Sequence, residues 1–243
     1  MEDKKVYIKS VEEAITEVKQ IKSKVRTDLL FRGQSSESLV PKMKGFTLLG
    51  CRMGKSSEKL IIQEFCRVAL PVLPNFPKNI WEALAIARHY GVPTRLLDWS
   101  YDMLIALWFA VSSKEYPSNN EDAILWVLSP EVKDFFDYTL PSPQEFLRKN
   151  RTKIYRPTVF IDRIESQRGF FTVHASSCGE LIPLEEDDKF KNKITPLYIK
   201  CDNKECIRKE LELMGINTYS VFHDLENLSK FLTERYCKKI ITM

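Results

Sequence analysis

The sequence has no apolar run of the length a membrane span requires. Its most apolar stretch, Met103 to Val111, falls well short of the roughly 20 residues needed to cross a bilayer. No apolar segment follows the first basic residues, so no secretion signal is expected. A disulfide framework is missing too. The six cysteines, Cys51, Cys66, Cys178, Cys201, Cys206 and Cys237, are scattered, which fits reduced thiols. Cys201 and Cys206 have no second pair to complete a zinc knuckle, so no metal is expected. Charge of one sign is scarce. Lysine and arginine number 37 against 33 acids, a net +4, which permits a phosphate-bearing partner without requiring one. The early lysines are interleaved with acids and read as a solvated surface. Nucleophile signatures are absent: no serine sits in a G-x-S-x-G elbow, and Cys178 has no base at motif spacing. Gly50 to Ser56 is one residue short of a phosphate-binding loop and has no strand before it. There is no internal repeat and no clear linker. What remains is a soluble, cytoplasmic chain of 243 residues, 44% hydrophobic and 29% charged, with enough apolar material for a core.

Periodicity then predicts the elements. Val11, Ala14, Ile15, Val18, Ile21 and Val25 recur at helical spacing over 10–25, with Ser10 and Glu13 as a capping box. Leu29 to Phe31 reads as a short strand stopped by Gly33, and 35–57 as an irregular connection. A helix follows over 58–70, closed by Pro71, Pro74 and Pro77. Asn79 caps another helix running to Tyr90, with Gly91 at its left-handed end. Thr94 to Asp98 is extended, Tyr101 to Ser113 a helix apolar on nearly all sides, and Ala123 to Leu128 a buried strand. Ser129-Pro130 reads as a helix start. Strands are expected at Thr158 to Ile161, Phe170 to His174 and Pro196 to Lys200, and helices at Lys204 to Met214 and after Asp224. The class is α+β in a single domain, 1–243, helix-rich early and strand-rich late.

Three segments could carry chemistry. Arg32, just past apolar residues and before Gly33, is expected at a strand end with little cover, where its planar fork suits a carboxylate or phosphate. It could equally pair with Asp98. His89-Tyr90-Gly91-Val92-Pro93-Thr94-Arg95-Leu96-Leu97-Asp98-Trp99 gathers imidazole, phenol, hydroxyl, guanidinium, carboxylate and indole among apolar helices. Such groups must find partners, in a structural network or a site. In the third segment, Arg163 to His174, the side chains of Phe170, Thr172 and His174 share one strand face, and His174 is a candidate acid or base.

Phe31-Arg32-Gly33-Gln34, the His89 to Trp99 cluster and Ala106 to Ala110 behind it resemble the FRG domain family. The Arg163 to His174 segment is similar to that family's glutamine-glycine-phenylalanine motif, and Gly215 to Leu225 to its C-terminal end, with His223 where proline is typical. The resemblance spans roughly 29–230. More distantly, the order of motifs resembles ADP-ribosyltransferases, which implies a split sheet and NAD as substrate. On that resemblance Phe31, Arg32, Gly33 and Gln34, with His89, Tyr90, Thr94, Arg95 and Asp98, would line the nucleotide pocket. Arg32 would hold the pyrophosphate or ribose, and Glu165 or Gln167 would take the place of the third-strand glutamate. His174 remains a further catalytic candidate, and the acceptor would be a protein or nucleic acid. Two rivals stand beside this: a non-catalytic FRG module that binds a nucleotide, nucleic acid or protein, and a nuclease or phosphotransfer enzyme using Arg32, His89 and His174.

Overall fold

Seven strands join in one mixed sheet in the computed structural model, which describes residues 5–34, 55–69, 73, 77–112, 122–136, 151–157, 168–177 and 180–237. In chain order the sheet strands are β1 (Val6–Tyr7), β2 (Leu30–Gln34), β3 (Leu96–Ser100), β4 (Ala123–Leu128), β5 (Lys153–Tyr155), β6 (Gly169–Val173) and β9 (Ile194–Ile199). β7 (Ser176–Ser177) and β8 (Glu180–Leu181) form a separate hairpin. The spatial order is β1-β9-β4-β2-β3-β6-β5. Only β1 and β9 run parallel; the other neighbours are antiparallel. The helices are α1 (Val11–Ser23), α2 (Lys55–Ala69), α3 (Ile80–His89), α4 (Met103–Ser112), α5 (Cys201–Leu213), α6 (Thr218–Phe222) and α7 (Leu225–Leu232). The class is therefore α+β, as the sequence predicts.

Alternation along the strands divides the core into two faces. On one face α1, α4, α5 and α6 lay Ala14, Leu107, Ala110, Leu211 and Val221 on Phe31, Leu125, Val127 and Leu197. Farther along the same face, α2 and α3 set Ile62, Trp81 and Leu84 on Leu96, Phe171 and Val173. The opposite face carries Leu30, Leu97, Trp99, Ile124, Trp126 and Ile154, covered by Leu184 and Phe190 from the connection before β9. Burying a side chain such as Leu107 fully contributes about 1.5–3 kcal/mol.

Capping follows the local sequence. Ser10 and Asn79 accept from the backbone N–H groups of Glu13 and Glu82. The Glu13 carboxylate closes onto the Lys9 amide rather than that of Ser10, so the predicted box is shifted by one residue. Gly91, at φ +85°, ends α3, and the Val92 amide reaches back to the Ala87 carbonyl at 2.9 Å.

Three expectations are corrected. Gly33 does not stop β2, which continues to Gln34 with Gly33 opposite Leu125. The glycine serves helix packing instead. A Cβ there would lie 1.8 Å from the Ala106 carbonyl oxygen and 2.5 Å from the Ala110 amide nitrogen, so α4 can rest directly on the strand. Arg32 consequently sits inside β2 rather than at its end, with only 15% of its side chain exposed. Ser129-Pro130 opens no α-helix but leads into one 3-10 turn, Val132–Asp134. Beyond that turn Phe135 bridges Ile154, and the Asp134 carboxylate is held by the Glu131 amide and Lys193, so a longer helix would forfeit these contacts. The strand expected at Thr158 to Ile161 lies outside the described residues.

The junction between β2 and β3 is sparse. β2 pairs with β4 along its whole length, but with β3 only through Phe31 opposite Ser100. The two halves of the sheet, β1-β9-β4-β2 and β3-β6-β5, are joined at that single pair. Beyond it a side chain takes over from the backbone ladder.

Candidate functional site

That side chain is Arg32. Its Nη1 donates to the main-chain carbonyl of Asp98 at 2.9 Å, spanning the gap between β2 and β3, and lies 3.9 Å from the Asp98 carboxylate. The carboxylate itself is gripped from the other side by Arg88, on the last turn of α3, whose Nη2 and Nε donate to Oδ2 at 2.7 and 3.1 Å. Arg32 and Asp98 thus meet, as expected for a pair, but Arg88 makes the closer bridge. Two guanidiniums share one carboxylate, leaving a net positive charge. Burial lowers the Arg32 guanidinium to about 10, with Asp98 opposing that shift and Arg88 adding to it; the group stays charged at neutral pH. Burial alone would raise the Asp98 carboxyl, but Arg88 and then Arg32 hold it below its ordinary value.

The sheet face that bears Arg32, opposite to that of Phe31, carries three N–H groups that are buried and lack a hydrogen-bond partner among the described residues: Arg32 Nε, Gln34 Nε2 and Trp126 Nε1. An unsatisfied buried donor costs about 1–3 kcal/mol. Native proteins satisfy most such groups, so a cluster of three calls for an explanation.

His174 is arranged differently. Its Nδ1 faces the Ile182 carbonyl at 2.8 Å and must carry the proton. Its Nε2 therefore accepts from the Thr172 hydroxyl at 3.0 Å, and that hydroxyl accepts from the Trp99 indole at 3.1 Å. Burial pushes the imidazole down to about 4. The Ile182 carbonyl and Asp187 resist that shift, and the charges of Arg32 and Arg95 add to it. The ring is neutral, fixed in one tautomer, and engaged at both nitrogens. It is buried near Arg32 but presents no free lone pair.

The other candidates are dispersed. Thr94 is fully buried and its hydroxyl accepts from the Leu96 amide, which sets the turn into β3. Arg95 is buried and its carbonyl accepts from the His174 amide. His89 and Tyr90 stack edge to face at the end of α3, where Tyr90 is 59% exposed. Phe31 and Gly33 turn to the helical face under α4. Glu165 and Gln167 lie outside the described residues. Among the described residues no cluster of His, Cys, Asp and Glu side chains gathers to hold a metal, and no helix is long and apolar enough to cross a membrane.

Two participants escaped sequence reasoning. Arg88 stands one residue before the cluster that begins at His89, and an arginine ending a helix buried from Trp81 to Ala87 was the available signal. Trp126 sits in an unbroken apolar strand and reads as core; only its register opposite Arg32 reveals it.

Residues 27–119 match the family model described as FRG domain. No curated protein and no solved structure matches the chain.

Proposed function

We propose that the FRG domain this chain carries at residues 27–119 holds the phosphate of a nucleotide, NAD or a relative of it, with Arg32 as the anchoring guanidinium. The observation behind this is the state of Arg32: charged, fixed at Nη1 by the Asp98 carbonyl, yet with a buried Nε lacking a partner among the described residues. Arg88 holds Asp98, and Asp98 holds Arg32, so the fork is preorganised before any ligand arrives. The single-pair junction between β2 and β3 supports the likeness to a split nucleotide-binding sheet.

Transfer of ADP-ribose to a protein or nucleic acid, or cleavage of NAD, would add a carboxylate that stabilises the positive charge on the ribose as nicotinamide departs. Glu165 or Gln167 is the residue proposed for that role. A binding module without turnover is the second reading, and His174 favours it: the ring is locked and cannot act as a base without giving up a buried hydrogen bond. The same locking, and the half-exposed position of His89 at a helix end, weigh against nuclease chemistry.

Calorimetry and nicotinamide release, run with NAD on the wild type, Arg32→Lys and Glu165→Gln, separate the readings. Saturable binding weakened roughly tenfold or more in Arg32→Lys supports the anchor. Release that disappears in Glu165→Gln supports a transferase; binding without release supports the module. No binding by the wild type, or equal binding by Arg32→Lys, overturns the proposal.

A further inference from the structure

We infer that Trp126 and Gln34 complete, with Arg32, a cradle of N–H donors for one oxyanion group of the ligand, an inference that rests on the anion-binding reading of Arg32. Arg32 and Trp126 are direct partners across β2 and β4, and Gln34 stands opposite Ile124, two residues along the same face. Such cross-strand partners hold their Cβ atoms about 4.5–5.5 Å apart, and the diagonal neighbour comes within about 8 Å. Gln34 is 5% exposed and Trp126 8%. Their Nε2 and Nε1, like Arg32 Nε, have no partner among the described residues.

The contrast with Trp99 is informative. It packs in the same apolar cluster as Trp126, and its indole N–H is satisfied by the Thr172 hydroxyl. Packing alone at 126 needs no N–H, because phenylalanine would fill an apolar position without carrying a donor that must be desolvated. Trp126 and Gln34 both carry a buried donor on the sheet face that bears Arg32. Three N–H groups, one of them on a guanidinium, suit a ligand atom that only accepts. A phosphoryl or other deprotonated oxyanion oxygen qualifies; a hydroxyl or amine, which must also donate, is disfavoured. Trp126 lies beyond the residues matched by the family model, so the cradle extends the site onto β4.

The test uses the full chain with ADP, pyrophosphate and adenosine as probes, measured by titration calorimetry on the wild type, Trp126→Phe and Gln34→Met. ADP and pyrophosphate are expected to bind, and adenosine not. Each variant should weaken the phosphate-bearing probes roughly tenfold or more while unfolding at no lower urea concentration than a core substitution of similar size. If Trp126→Phe fails to fold, Gln34→Met, which keeps the side-chain length, carries the test. Pyrophosphate bound and sensitive to both variants, with ADP unbound, keeps the cradle and removes the nucleotide reading. ADP bound equally by wild type and variants removes the cradle and keeps the nucleotide reading. Adenosine bound as tightly as ADP, or no probe bound at all, overturns the inference.

Discussion

Replacing Gly33 with alanine tests why a glycine follows Arg32 at all. The added Cβ would stand 1.8 Å from the Ala106 carbonyl oxygen, 2.5 Å from the Ala110 nitrogen and 2.9 Å from the Ala106 carbonyl carbon. A carbon-oxygen contact settles near 3.3 Å, so α4 must retreat by about 1.5 Å. All three colliding atoms are backbone, and no rotamer change relieves them. The helix is also pinned by α6, whose Phe222 packs edge to face on both Trp108 and Phe109. A gap of even 0.5–1 Å forfeits about a quarter to a half of the dispersion attraction along the contact. The expected loss is about 3 kcal/mol, the upper end of overpacking costs, or roughly 6–12 °C in midpoint for a chain of this length. Urea unfolding followed by tryptophan fluorescence measures it. Because the clash is with main chain, a second change of Ala110 to glycine should restore nothing. A Gly33→Ala protein within about 1 kcal/mol of wild type would refute the account of the strand–helix contact.

Two further outcomes follow from buried groups. The His174 pKa falls from 6.5 to about 4 on folding, so between those values the unfolded chain binds a proton that the folded chain does not. The contribution is complete above pH 6.5 and is lost as pH falls toward 4, by up to about 3 kcal/mol; urea midpoints against pH should show that limb in the wild type and not in His174→Asn. Tyr155 packs among Trp81, Phe136 and Phe171 with a buried hydroxyl that has no partner among the described residues. Tyr155→Phe should therefore leave stability unchanged or raise it by about 1 kcal/mol, and a loss of that size would show that the hydroxyl is satisfied.

The elements built on local signals were legible. Asn79 and Gly91 bracket α3, Asp224 caps α7, and the unbroken apolar run of β4 carries its own boundaries. Tertiary demands were not. Gly33 reads as a strand breaker because glycine has no side chain to pack, yet that same lack is what the approach of α4 requires. β1 and β5 are too short to show a period, and they exist because β9 and β6 offer edges to pair with. At the site, the types of residue were visible but not their partners. Arg32 and Asp98 stand 66 positions apart, and only the register of β2 against β3 brings them together. Trp126 and Arg88 were hidden because an indole in an apolar strand and an arginine ending a buried helix look structural until a charge is found opposite them.

Whether Arg32 is an anion anchor is settled most directly by calorimetric titration of NAD into the wild type and into Arg32→Lys, which keeps the charge but removes the planar fork and its Nε donor. The account predicts saturable binding by the wild type and an affinity at least roughly tenfold weaker in the variant, with both proteins folded. Equal affinities, or no binding by either, would contradict it.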